Sequence, residues 1–204
     1  VAKNTLFLSN IKPYLQKGDS VLDVGCAEGF FVRYLVDRGY AAEGLEINER
    51  SIDFGRKEYG VTIYSHDVTK HNKKYNLVFT SGYFEHLEDP KRVLEHIRDN
   101  CLKEGGYIYM GVPDLECPNR QKLSEFFPPE HLQTYSKETI SNLLYACGFE
   151  VKEIKHDVYN FGMAIVAQKT KFLSTEPICL PGYEIDKLLG NLKVMYDQKG
   201  TGTA

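Results

Sequence analysis

The chain has 204 residues, a formal net charge of −3, 42% hydrophobic and 26% charged residues. That suits one ordinary domain with a real core, and it lacks the positive field that draws nucleic acid or an anionic membrane. No apolar run reaches membrane-spanning length and no signal-peptide pattern opens the chain, while the five scattered cysteines (Cys26, Cys101, Cys117, Cys147, Cys179) form no CxxC pair. Reduced thiols in a cytoplasmic setting are expected.

Strand-like runs at 20–24, 41–47, 61–65, 75–80 and 106–112 alternate with helical patterns at 28–39, 49–59, 90–101 and 136–147. Gly39 and Gly148 stand where helices should stop, Asp89-Pro90 where one should start, and Ser136 with Thr139 where another should. Two further strand-like runs, 149–157 and 161–168, are separated by a short connection and read as a closing hairpin. The pattern predicts an α/β fold: a Rossmann-like, doubly wound, seven-stranded sheet. It is mostly parallel, with one antiparallel strand at the edge and helices on both faces.

Two pieces fall outside this plan. The connection 113–133 is rich in Pro, Glu and Phe and long enough to act as a lid. Residues 171–204 follow the domain at 1–170. Within them Ile185, Leu188, Leu189, Leu192 and Met195 recur at helical spacing, which predicts an amphipathic helix before a disordered tail. The chain starts at Val1 rather than Met, as an excised domain of a longer protein or a processed chain would.

Val21–Phe31 reads VLDVGCAEGFF: a strand, a loop with small residues at Gly25, Ala27 and Gly29, and the start of a helix. Such a loop lets backbone amides approach a nucleotide-like ligand. A dinucleotide would want G-x-G-x-x-G, but here the second and third glycines are Ala27 and Phe30. Asp23 and Glu28 would also repel a pyrophosphate. They suit a cofactor carrying cationic groups and no phosphate, as S-adenosylmethionine (SAM) does. Glu46, 21 residues after Gly25, is placed to accept hydrogen bonds from ribose hydroxyls, and Asp67 from an adenine amino group. Taken singly, each has a plainer reading as a turn, cap or surface residue.

In this order the segments resemble the class I SAM-dependent methyltransferases: VLDVGCAEGFF, GLEINERSIDFGR, SHDV, YNLVFTSGYFEHLEDP and LKEGGYIYMGVPD match successive motifs. Ala27 stands in place of the commoner middle glycine. PPEHLQTYSKETISNLLYACGFEV also resembles a stretch of small-molecule methyltransferases, and the likeness covers about residues 15–168. It implies SAM as cofactor and S-adenosylhomocysteine (SAH) as product. Cofactor contacts are implied at Asp23, Gly25, Cys26, Ala27, Gly29, Glu46, Ile47, Asp67, Val68 and Ser81.

A hydroxyl acceptor needs a base during in-line methyl transfer. Candidates beyond the fourth and fifth strands are Glu85, His86, Asp114, Glu130 and His131, with His131 and His86 favoured because imidazole titrates near neutrality. Tyr83, Phe84, Phe126 and Phe127 are expected to wall the acceptor. Ubiquinone-biosynthesis O-methyltransferases resemble this chain around Glu85-His86 but carry another acidic residue shortly before. Ser81-Gly82 stands there instead, so no required metal is expected. The acceptor reading is a sugar or other small-molecule hydroxyl. The alternatives are a quinone, phenol or metabolite carbon, or a non-catalytic SAM-binding module of a longer protein.

Overall fold

The computed structural model describes residues 2–116, 128–158 and 162–170. In chain order these form α1 (Ala2–Ile11), β1 (Ser20–Val24), α2 (Phe30–Val36), β2 (Ala41–Leu45), α3 (Glu49–Phe54), β3 (Ile63–Tyr64) and β4 (Tyr75–Ser81). There follow α4 (Pro90–His96), β5 (Leu102–Pro113), α5 (Lys137–Ala146), β6 (Phe149–Val158) and β7 (Gly162–Lys169). Helices α3 and α4 each end in a wider turn, Gly55–Tyr59 and Ile97–Cys101.

The middle strands are apolar at consecutive positions because helices cover both faces of the sheet. Along β4, Val78 packs into the layer beneath α4 and α5, with Leu94, Ile97, Ile140 and Leu144. Its neighbours Leu77 and Phe79 turn to the opposite layer, with Phe7, Ile11, Phe31 and Leu35 of α1 and α2. The same alternation runs through Ile108, Tyr109 and Met110 of β5. On this second side Phe79 and Tyr109 lie stacked, with ring centroids 4.6 Å apart, and Phe7 meets Phe79 edge-on at 5.0 Å.

The seven strands take the order β3-β2-β1-β4-β5-β7-β6. The first five are parallel; the closing hairpin brings in β7 antiparallel to both β5 and β6, with β6 outermost. Strand order reverses between β1 and β4, which opens a crevice at their carboxyl ends.

The helix starts behave as their sequences require. Asp89 accepts from the Arg92 amide at 3.0 Å, and Ser136 and Thr139 close a reciprocal capping box on α5. Helix α1 was not expected; its readable signal is short, Phe7, Leu8 and Ile11 at helical spacing. No helix among the described residues is long and apolar enough to cross a membrane. The expected helix and tail in 171–204, and the central part of the expected lid, 117–127, lie outside the described residues.

Candidate active site

Among the described residues, two cavities at the carboxyl edge of the sheet share Gly82. The first, about 300 Å³, lies over the ends of β1, β2 and β3, and its walls include Gly25, Glu46, Ile47, His66, Asp67, Val68, Tyr83 and His86. The second, about 180 Å³ and open to the surface, is bordered by α1, β4, β5 and β7, with walls that include Lys3, Phe7, Ser81, Glu85, Tyr109, Val112 and Met163.

Local backbone geometry builds the first cavity. Gly25 turns out of β1 with φ +73°, its amide and that of Cys26 both donating to the Leu45 carbonyl at 2.9 and 3.0 Å. Ala27 is left-handed at φ 48°, which explains why glycine is commoner at this place. The Glu46 carboxylate then fastens the loop to the next strand. It accepts from the Ala27 amide at 3.0 Å, and from the Ile47 and Asn48 amides at 2.8 and 2.9 Å. Asn48 in turn caps α3. A carboxylate has about four acceptor positions, so three internal amides leave about one for a ribose hydroxyl.

Asp23, one residue before the end of β1, is 5% exposed. Burial first, then the charge on Glu46, pushes its carboxyl up to about 7. Asp67 is the opposite case. Burial alone would raise it, but hydrogen bonds from the Thr69 amide (2.8 Å) and hydroxyl (2.6 Å) hold it below its ordinary value.

The expected cofactor residues separate into two groups. Gly25, Glu46, Ile47, Asp67 and Val68 line the first cavity, and Ile47 stands out from it, 75% exposed. Cys26 and Gly29 turn inward instead. The Cys26 side chain packs under Gly44, and Gly29 packs on Val61 and Ile63 at the start of α2. Ser81 lines the second cavity rather than the first, against the backbone of Gly111. Tyr83, expected in the acceptor wall, lies across Gly25 in the first cavity, because Gly82 at φ +69° turns the chain back over the loop. Burial raises its hydroxyl to about 12.

Sequence reading missed two residues here. His66 lines the first cavity and meets buried His71 at 3.1 Å, which meets the Tyr75 hydroxyl at 3.0 Å. Gly55 lies so close to the loop that a Cβ there would collide with the Glu28 carbonyl and stand 2.7 Å from Ile63 Cδ1. A glycine inside a helical pattern was the available signal.

The base candidates also divide. Asp114 is fully buried and bonded to His156 at 2.6 Å and to the Glu116 amide at 2.9 Å, which makes it a structural anchor. Phe84 is fully buried in the core, and Phe126 and Phe127 lie outside the described residues. Glu85, His86 and His131 come together: their ligand atoms lie within 4.8 Å of one another, and the two imidazole rings meet edge-on at 4.9 Å. Burial raises the Glu85 carboxyl, and backbone hydrogen bonding together with the two histidines pulls it partly back. The loop carrying His131 is tied to the turn carrying Glu85 by the Gln133 amide, which donates to the Glu85 carbonyl at 3.0 Å. Glu130 contributes its carbonyl, which accepts from His86 Nδ1 at 3.0 Å.

A methyltransferase-domain family model matches residues 1–154. A ubiquinone biosynthesis O-methyltransferase of Coxiella burnetii (strain RSA 493 / Nine Mile phase I) is 27% identical over 107 residues, 47% of this chain and 44% of that protein. The chain thus spans under half the length of the first curated relatives it matches. A SAM-dependent methyltransferase of Methanosarcina mazei superposes with a TM-score of 0.63 at 18% identity, covering 79% of this chain and 97% of that one. Magnesium protoporphyrin IX methyltransferase of Synechocystis PCC 6803, solved with bound SAH, gives 0.64 at 15% identity, covering 83% and 84%. The motif order, the strand order and the family match agree: this chain belongs to the methyltransferase-domain family and has the fold of the SAM-dependent methyltransferases.

Proposed function

We propose that this enzyme methylates a hydroxyl oxygen of a small molecule held in the second cavity. The observation that carries the reading is the corner formed by Glu85, His86 and His131. His86 lines the cofactor cavity, Glu85 lines the second cavity, and the two cavities meet at Gly82. The cofactor lies with its ribose toward Glu46, its adenine between Ile47 and Asp67, and its cationic end toward Asp23. Because the sulfonium leaves readily, the chain's main tasks are to align the acceptor and to receive its proton. His131 and His86 perform the second, reached by an oxygen lying beside Glu85.

Between sugar and phenol, the walls favour the phenol. Phe7, Tyr109, Val112 and Met163 offer apolar and aromatic surface, and the relatives' names point toward quinone precursors. The free, buried thiols Cys26, Cys101 and Cys147 fit a reducing compartment. The test is SAH release from SAM with a panel of small phenols and methyl glycosides. Release with the phenols and little with the glycosides is expected. Release confined to glycosides would reverse the choice of acceptor, and none with any hydroxyl would overturn the reading.

A further inference from the structure

Three features of the corner go beyond proton transfer. First, its donors come from two separate segments, the turn after β4 and the loop before α5, yet all lie within 4.8 Å of one another. Second, Glu85 is only 4% exposed, and its Oε2 has no hydrogen-bond partner among the described residues. A buried carboxylate oxygen without a donor is costly unless a proton or a cation satisfies it. Third, His86 must donate through Nδ1 to reach the Glu130 carbonyl at 3.0 Å, which leaves Nε2 as a lone pair. A carbonyl fixing one imidazole nitrogen while the other stays open is the arrangement that orients metal-binding histidines.

We propose that Glu85, His86 and His131 bind one divalent transition-metal ion between the cofactor cavity and the second cavity. Two imidazole nitrogens and one carboxylate oxygen form a borderline donor set. It suits zinc, cobalt, iron or manganese better than magnesium or calcium, which take mostly oxygen. Three protein donors leave positions open for an acceptor oxygen. An ion there would make a bound hydroxyl more acidic, the same task the imidazoles perform without it. Only this use rests on the methyl-transfer reading; the binding itself does not.

Cobalt(II) is the probe, titrated into the full chain with SAH present and followed by its visible d–d absorption. One saturating equivalent is expected, weakened by roughly 100-fold in His131→Ala, since even outer partners of metal ligands cost 10–100-fold. Glu85→Gln is a second variant, and thermal unfolding with SAH affinity verifies that each variant is folded. Absence of a saturable band, or a band unchanged in folded His131→Ala, overturns the proposal. Chelator-treated enzyme separates this from the functional reading. SAH release with phenols but no cobalt band sinks the ion alone. A cobalt band without SAH release on any hydroxyl sinks the acceptor reading alone.

Discussion

The cofactor cavity takes its walls from short loops after β1, β2 and β3 and from the turn after β4, each residue lying within a few positions of its strand. The second cavity takes its walls from both ends of the described chain, Lys3 and Phe7 of α1 meeting Gly162 and Met163 of β7. One half of the ligand edge is thus made by local backbone geometry and the other by long-range packing. Variants in the first should change cofactor affinity, and variants in the second should change turnover.

The largest effect is expected at His131. In His131→Ala, kcat should fall roughly 100- to 10,000-fold, the usual contribution of general acid–base catalysis, while SAH affinity by calorimetry stays within about twofold. A comparable loss of SAH affinity would break the division, because His131 would then be supporting the cofactor cavity.

Next comes a matched pair of glycines. Gly55→Ala drives a Cβ into the Glu28 carbonyl, which is backbone and cannot rotate away. A loss of about 1–3 kcal/mol is expected, read as a lower denaturant midpoint, with weaker SAH binding. Gly111→Ala brings a Cβ to 3.0 Å from Ser81 Oγ, a side chain able to rotate. It should cost less stability and leave SAH binding alone. Equal losses in the two would sink the claim that the cofactor half is held by backbone contact.

A smaller, pH-dependent effect belongs to Asp23. Its pKa rises from 3.8 to about 7 in the folded, cofactor-free protein. Between those values the native state holds a proton that the unfolded state has released. Stability from this group is therefore present at low pH and declines as pH climbs toward about 7. The cationic end of the cofactor favours the ionised form, so affinity for SAH should rise with pH, by at most about tenfold per unit, and level off above about 7. Asp23→Asn should flatten both slopes, and an unchanged affinity slope in that variant would place the titrating group elsewhere.

The same division explains what could be read from the sequence. Gly25, Glu46, Ile47, Asp67 and Val68 were legible as cavity residues because they follow the ends of β1, β2 and β3 within a few residues. Ser81 and Tyr83 were assigned to each other's cavity: which way they face depends on how Gly82 turns the chain, and spacing does not record that. The threefold use of Glu46 by amides was hidden because it depends on hydrogen bonds rather than residue types. His131 stood out as a base candidate, but its meeting with Glu85 and His86 depends on Gln133 pairing across 48 residues of chain with Glu85 (133 − 85). Helix α1 was missed because its apolar signal is short, Phe7, Leu8 and Ile11, and its place is decided by packing on Phe79 and Tyr109.

The smallest effect tests the loop itself. Ala27 is held at φ 48°, where an L residue pays roughly 1–2 kcal/mol. Glycine would relieve that strain but return about 0.4–1 kcal/mol of extra freedom to the unfolded chain. Ala27→Gly should therefore stabilise the protein by about 1 kcal/mol or less in a urea melt. SAH affinity should hold steady, because the Ala27 amide still donates to Glu46. The strain belongs to the side chain and the hydrogen bond to the backbone, so the two measurements should part company. A clear loss of stability would mean that the Ala27 methyl makes contacts worth more than its strain, and the cofactor half would then depend on side-chain packing after all.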